Sequence, residues 1–502
     1  MKICVLAPSQ EYLNQAGVRI RYRRLEGPLA AMGHELSVVP IDHFQRSEEF
    51  VHDVYLVSKC YDGRSLIAAQ HIAARGRLVG IDLFDDYFSQ VEDSRFARLR
   101  LWLHQLLPRA GFLLFATEAM RERAQQFAPD CPAHVMNDPS DRFDSDRLAA
   151  TLDAKLSRLH ETKILDVAWF GMGDNPHFPV GLSDLVSYGN ELSRLRGQGF
   201  DVRLHILTND RAVTTRALIM LKRLAIPYTL EQWNEGREAA LLERCSVCFL
   251  PVNAQAFSVV KSLNRGITAL MAGAQVLSAG FPLYQALSDF IYRDAKALLD
   301  DLKQSRPLLR SETLETLKLP LARLASPDDE ARRLIAFLES ARRPSPAIAP
   351  LTVAAIHGRE SGGDVHKFVQ RMGGLSVASP FANPKLNYDL RFCWREGAPG
   401  IDVLIASKKR HLLPAEIAEG SSAHGRLLDT DYHRLEPAQL PPCSAFGSAL
   451  GRLKDPVADV AVYGEVMSLV KNTLSTLVPG VACVFSETSK LPLRMPIEAR
   501  VA

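Results

Sequence analysis

No stretch of this sequence is long and apolar enough to cross a bilayer. The opening run, Met1-Lys2-Ile3-Cys4-Val5-Leu6-Ala7-Pro8, is too short for a secretion signal. An excess of one charge is also missing. The 60 Lys and Arg against 57 Asp and Glu leave +3, so bulk charge favours neither nucleic acid nor strong attraction to a membrane. Cysteine is present without a framework: Cys4, Cys60, Cys131, Cys245, Cys248, Cys393, Cys443 and Cys483 are scattered. Cys245-x-x-Cys248 has no second pair at zinc spacing, which favours core packing. These absences describe a reduced, soluble, cytoplasmic protein. Peripheral contact at the inner face of a membrane stays open, because surface patches leave no apolar run.

What is present is length and alternation. A chain of 502 residues predicts two to four domains with ample core. Over about residues 1–140, short apolar runs (Ile3–Ala7, Leu36–Val39, Val54–Val57, Leu78–Ile81, Phe112–Ala116, His134–Met136) alternate with amphipathic stretches such as Arg24–Met32 and Phe96–Leu107. That spacing predicts βαβ units and a parallel sheet covered on both faces. A connector over Pro139–Lys163 carries one helix. A second block to about residue 300 repeats the pattern, with strands at Ile164–Phe170, Val202–Leu207, Tyr228–Leu230, Val247–Leu250 and Gln275–Ser278. Its helices fall at Leu182–Leu195, Val213–Leu224, Arg237–Cys245 and Ser262–Ala272. A helix follows at Pro327–Arg343, with Ser326 as N-cap and Leu334, Ile335 and Leu338 as its apolar stripe.

Pro344-Ser345-Pro346-Ala347-Ile348-Ala349-Pro350 reads as a linker. Beyond it, residues 351–502 change character, with strands at Thr352–Ile356, Leu375–Ala378, Tyr388–Phe392 and Val403–Ala406 and a helix at Ala458–Leu477. We read this block as an added α+β domain that serves acceptor binding, recruitment or oligomer formation. Its polar loop from His357 to Lys367 and its Asp429, Asp431 and His433 match no motif.

The segment richest in chemistry is Leu250-Pro251, then Lys261-Ser262-Leu263-Asn264-Arg265, then Gly273 to Leu277 and Pro282-Leu283-Tyr284. Read as strand, loop, helix and strand, it sets a lysine, an asparagine and an arginine at a helix start. Free N–H groups and the positive end of the dipole there suit a diphosphate. A spacing of four places Lys261 and Arg265 on one helix face. Gly171-Met172-Gly173, followed by Asn175, closes a strand and would let a phosphate or sugar approach the backbone, though a tight turn explains it equally. Thr208 and Asn209 end the next strand, where doubly wound sheets bind ligands, and Trp233 could stack on a base. Gly80-Ile81-Asp82-Leu83-Phe84-Asp85-Asp86 sets three carboxylates at a strand end, with Asp82 and Asp86 as candidates for acceptor hydroxyls or a base. Arg19, Arg21 and Lys59 are candidates for the same side of the cleft. No metal is expected, since no histidine accompanies the carboxylates.

Phe249-Leu250-Pro251, Lys261-Ser262-Leu263-Asn264-Arg265, Gly273 and Val276 resemble the donor region of bacterial retaining glycosyltransferases of the two-domain GT-B type. In that family a "liP" strand end, a "K-S-x-x-[KR]" helix start and a "G-x-P-V" turn line the sugar-nucleotide pocket. Val167-Ala168-Trp169-Phe170-Gly171 with Asp174-Asn175-Pro176 resembles the first strand and loop of the family's donor domain. Gly17-Val18-Arg19-Ile20-Arg21-Tyr22 resembles the loop after strand one that faces the cleft. The resemblance covers about residues 1–340. It implies an acceptor-side domain at 1–140, a donor domain at 141–343 and metal-independent, retaining transfer without a cofactor. The donor would be a nucleotide sugar and the acceptor a glycan, lipid-linked group or protein. The family's Glu-x7-Glu pair is absent: Val260 and Thr268 occupy those positions, and Ala274-Gln275-Val276 replaces x-Pro-Val. Lys261 and Arg265 would stabilise the leaving diphosphate, with Pro251, Ser262, Asn264 and Thr268 lining the donor pocket. The other reading is a GT-B-fold scaffold or nucleotide-sugar sensor that does not catalyse.

Overall fold

The computed structural model describes residues 1–44, 50–90, 96–175, 177–196 and 199–341, together with short pieces of the last third. Two six-stranded parallel sheets organise the first two-thirds. The first contains β1 (Lys2–Ala7), β2 (Glu35–Pro40), β3 (Val54–Ser58), β4 (Leu78–Leu83), β5 (Phe112–Phe115) and β6 (Ala133–Val135), in the order β2-β1-β3-β4-β5-β6. The second contains β7 (Ile164–Gly171), β8 (Asp201–Thr208), β9 (Tyr228–Gln232), β10 (Val247–Phe249), β11 (Gln275–Leu277) and β12 (Ile291–Tyr292), in the order β12-β11-β10-β7-β8-β9. Central strands β3, β4 and β10 are buried along their whole length, which explains their unbroken apolar runs. Edge strands β2 and β9 keep exposed or half-buried residues.

Strand order fixes where a ligand could enter. The chain leaves β1 for β2, then returns to the far side of β1 as β3. Likewise β10 returns to the far side of β7 after β8 and β9. Crevices in such sheets open where the order reverses, outside the carboxyl ends of the strands. Those points are Ala7 and Ser58 in one sheet, and Gly171 and Phe249 in the other.

Most expected elements are present, with informative differences. Residues Gly17 to Tyr22 are helical, not a loop: a helical turn at Ala16–Val18 and a π-helical turn at Arg19–Arg23 lead into Arg24–Ala31. Val18, Tyr22, Leu25 and Leu29 are spaced to bury one face against β1 and β3. The helix expected over Leu182–Leu195 breaks at Tyr188 into Leu182–Ser187 and Gly189–Arg194. Strand β12, two residues long, is too short for periodicity to reveal.

The chain then crosses back. Helix Pro327–Ser340 is capped by the Ser326 hydroxyl, which accepts from Asp329 N, as expected. Leu334, Ile335 and Leu338 are buried with Ile3, Val5, Leu25 and Leu29 of the first half. The nearly inaccessible Glu330 accepts from Asn137 Nδ2 (3.0 Å) and pairs with His134 Nε2 (3.3 Å). This helix therefore belongs to the first sheet's core although it follows the second.

In the last third, strands Thr352–His357, Leu375–Ala378 and Val481–Phe485 pair in parallel, and Tyr388–Trp394, Ile401–Ser407, His424–Leu427 and Thr430–Leu435 pair antiparallel. Phe368 and Met372 are buried in the first half's core, and Arg371 donates to Asp42 O (2.8 Å). The linker from Pro344 to Pro350, Asp429, most of the loop from His357 to Lys367 and the helix expected over Ala458–Leu477 lie outside the described residues.

Truncating Leu334 to Ala should cost about 2–5 kcal/mol, the range for a buried leucine. Because it detaches the returning helix, urea unfolding should show the loss through probes in the first half, such as Trp102.

Candidate active site

The two sheets turn their carboxyl edges toward each other, and the site is built from what meets there. The end of β4 carries Asp82 and the loop after it Asp85 and Asp86, and each takes a different partner. Asp82, fully buried, receives a bidentate contact from Arg21 (Nε to Oδ2 2.6 Å, Nη2 to Oδ1 2.7 Å) and the Tyr22 hydroxyl. Arg21 also reaches Met136 O (2.7 Å) and Asp138 (3.0 Å). Asp86, also fully buried, accepts from Phe88 N (3.2 Å), Ser89 N (2.9 Å) and the Ser89 hydroxyl, closing a local turn. Asp82 and Asp86 are thus committed beneath the cleft, and Arg21 with them. Only Asp85 of the three faces the other half.

Asp85 sits between two lysines. Lys59, at the end of β3, approaches its Oδ2 at 2.8 Å, and Lys261, from the second half, contacts its Oδ1. Burial alone would raise the carboxyl's affinity for a proton. The charges of Lys261 and Lys59 outweigh that and hold Asp85 well below the usual carboxylate range. Each ammonium also lies on a ring, Lys59 3.9 Å from the Phe84 centroid and Lys261 3.7 Å from that of Phe257.

The helix expected from Ser262 begins at Asn264, so Lys261 lies in the turn before it and does not share a helix face with Arg265. Lys261 turns to the first half, whereas Arg265 turns to the end of β7, with Nη1 3.4 Å from Phe170 O. Gly171 has a positive φ of 143°, and a Cβ there would lie 3.1 Å from Arg265 Nη1, so the glycine makes room for the guanidinium. Gly173 answers to packing: a Cβ would stand 2.4 Å from Thr208 Oγ1 and 2.7 Å from Ala212 Cβ.

Several other candidates hold this loop. Thr208 Oγ1 donates to Gly171 O (2.9 Å), Asn209 Oδ1 accepts from Gly173 N (2.9 Å), and Asn175 Oδ1 accepts from His177 N (2.8 Å). Asn264 Oδ1 accepts from Thr268 Oγ1 (3.2 Å), so these two face each other along the helix. Pro251 is buried at the end of β10, and Ser262 is half-buried beside Lys261. Trp233 follows β9, its indole N–H donating to Glu238 and its ring under Arg19, 5.4 Å away.

Sequence reading missed the contacts that close the cleft. Tyr87 of the first half lies 5.3 Å from Phe257, and Phe96 stacks on Phe178 at 5.5 Å. Thr117 Oγ1 donates to Val260 O (2.8 Å), Asn175 Nδ2 to Tyr87 Oη (3.2 Å), and Arg19 to Glu235 (2.7 Å). Nothing in the chain's local periodicity marks these residues, since the partners are 82 to 216 positions apart. Between the ends of β5 and β6 and the Lys261–Asn264 turn lies a cavity of about 250 Å³, lined among others by Thr117, Asn137, Asp138 and Leu283. No group of three or more His, Cys, Asp or Glu is placed to hold a metal among the described residues. Cys245 and Cys248 are buried in the second half's core; burial pushes the Cys245 thiol up to about 12.

No protein-family model matches the chain, and no curated protein does. Solved structures with similar folds include the Escherichia coli trehalose-6-phosphate protein bound with UDP-2-fluoro glucose (12% identity, 70% of this chain and 100% of that one, TM-score 0.45). Others are a UDP-forming α,α-trehalose-phosphate synthase from Burkholderia xenovorans (13%, 58% and 74%, 0.41) and Anabaena HepE in complex with UDP and glucose (11%, 68% and 100%, 0.46). Similarity of this order carries nothing about substrate. The chain's own topology is decisive for the fold: two doubly wound parallel sheets face each other, and the closing helix returns to the first. This is the GT-B architecture.

Asp184 adds a titratable group beside Arg265. Burial, against hydrogen bonds from Asn253 Nδ2 (2.6 Å) and Gly181 N (3.1 Å), raises its pKa to about 6. A carboxyl raised above its unfolded value makes the fold most stable while protonated in both states. Its share, about 3 kcal/mol, should therefore be lost as pH rises from about 4 through 6. Urea midpoints across that range should show the fall in the parent protein and a smaller one in Asp184→Asn.

Proposed function

We propose that this chain is a glycosyltransferase, moving a sugar from a nucleoside-diphosphate donor to an acceptor held against the first half. One observation carries the reading: two cations of the second half line the cleft, Lys261 turned to Asp85 of the first half and Arg265 set against the end of β7 at the reversal point, and a diphosphate between them would meet both. Transfer leaves negative charge on the departing diphosphate, and preorganised cations are the groups that stabilise it. In this mechanism Lys261 and Arg265 take that charge without a metal, Asn264 and the free N–H groups at the start of helix Asn264–Met271 assist, and Asp85 with Lys59 faces the acceptor. The acceptor is a glycan, a lipid-linked group or a protein. Retention of configuration follows from the resemblance alone.

A second reading, binding without turnover, is favoured by Thr268. The side chain that stands where the family's ribose-binding glutamate would be is spent on Asn264. It offers a nucleotide at most a weak neutral contact.

Calorimetric titration with UDP, GDP, dTDP and their sugars separates these outcomes. One diphosphate family should bind, and the Lys261→Ala/Arg265→Ala variant should lose at least about 2–3 kcal/mol of that binding, or roughly a hundredfold. Sugar release from the bound donor marks an enzyme, whereas tight binding without release marks a sensor. Absence of binding by every diphosphate removes the donor-site assignment.

A further inference from the structure

The cation that the donor reading needs is already engaged by the chain itself. We propose that Asp85 is an internal anion: it occupies the Lys59–Lys261 pair, ties the two halves together, and is displaced when a diphosphate-bearing ligand enters. This inference rests on the reading of Lys261 as a diphosphate cation.

Geometry supports it at three levels. Asp85 and Lys59 come from the first half and Lys261 from the second, so the carboxylate spans the cleft. Two lysines around one carboxylate leave a surplus positive charge, and Arg265 stands on the same side of the cleft as Lys261. A ligand carrying two or three negative charges competes well for such a pair. Both ammonium groups also rest on aromatic rings, Phe84 and Phe257, that would keep them in place after the carboxylate leaves. Lys59 holds a left-handed backbone (φ 53°), a conformation uncommon for a residue with a side chain.

Space makes the same demand. The cavity beside Lys261 measures about 250 Å³, below the roughly 300–1,000 Å³ of ordinary small-molecule sites. Separation of the halves would enlarge it for a nucleotide sugar, and the Lys261–Asp85 contact would break as they part. Tyr87 with Asn175, Thr117 with Val260 and Arg19 with Glu235 also join the halves, but none of them engages the donor cations. Asp85 thus couples opening to the arrival of negative charge. A ligand that binds only the open form has its apparent affinity reduced by the fraction of molecules that are open.

Inorganic pyrophosphate is the probe, titrated by calorimetry into the full chain at fixed ionic strength. Asp85→Asn keeps the shape and removes the charge, and should bind pyrophosphate about tenfold more tightly than the parent, since a charged hydrogen bond no longer competes. Asp85→Ser should show the same gain, so the result does not hang on how one replacement packs. Glu315→Gln makes the same change of net charge at an exposed helix position, where Glu315 pairs with Lys318, and should stay within about twofold. Equal or weaker binding by both Asp85 variants overturns the internal-anion role, as does an equal gain in Glu315→Gln. Lys261→Ala separates this failure from the other. Loss of binding in that variant while Asp85→Asn matches the parent leaves the donor site standing without the internal anion. Unchanged binding in Lys261→Ala, with or without Asp85→Asn, removes the donor-site reading itself.

Discussion

A carboxylate shared by two lysines lies where the halves of this protein meet, and the geometry around it depends on that sharing. Lys59 alone would leave Asp85 an ordinary half-buried ion pair within the first half. Lys261 makes it a bridge, and the helical turn that carries Phe257 and the loop that carries Phe178 lie against Tyr87 and Phe96 on the same side. Asp85 itself is buried while Lys59 and Lys261 keep 24% and 35% of their side-chain surface, and the reduced contact of the carboxylate with water strengthens the bridge. Charge and packing are therefore coupled here, and neither alone accounts for a closed cleft.

The three carboxylates at the end of β4 and just after it show how one short segment divides its labour. Asp82 points down into the first half, where Arg21, Tyr22 and Ser58 complete a buried polar cluster. Such a pair is strongly destabilising to break but contributes little net stability relative to apolar packing. Its value is positional: it fixes the helical segment Arg19–Arg23 over β4, and so fixes Arg19 at the cleft edge above Trp233. Asp86 shapes the turn that delivers Tyr87. Two of the three acids thus set the stage on which the third acts.

Sequence reading recovered the scaffold because the central strands are buried on both faces and therefore written as apolar runs. It recovered the returning helix because Ser326, Pro327 and the acids after them are local signals. It read Lys261 and Arg265 as neighbours on one helix face that does not exist, since the helix starts three residues later than Lys261. Of the three carboxylates it singled out Asp82 and Asp86, whereas Asp85 is the one that faces the other half. Their partners, Arg21, Lys261 and Ser89, lie 61, 176 and 3 positions away, and only the three-dimensional path of the chain tells a buried pair from a bridge or a cap. Gly171 and Gly173 look alike in sequence yet serve different neighbours, one a guanidinium and the other a packed strand end.

The absent glutamate pair and the closed cleft bear on each other. With Thr268 tied to Asn264, the nucleoside end of a donor gains little from this helix, so the diphosphate end must supply more of the binding energy. On the proposed donor reading that end would meet Lys261, which would first have to leave Asp85. A site that relies on charge, and that screens its charge until the right ligand arrives, discriminates by how many negative charges a ligand carries before it discriminates by base. Mono-anionic sugars lack the charge to displace the carboxylate. A nucleoside diphosphate would have enough to do so, and opening the cleft for it would also expose Lys59 on the first half's side. On the proposed reading, selectivity would arise from the same bridge that joins the halves.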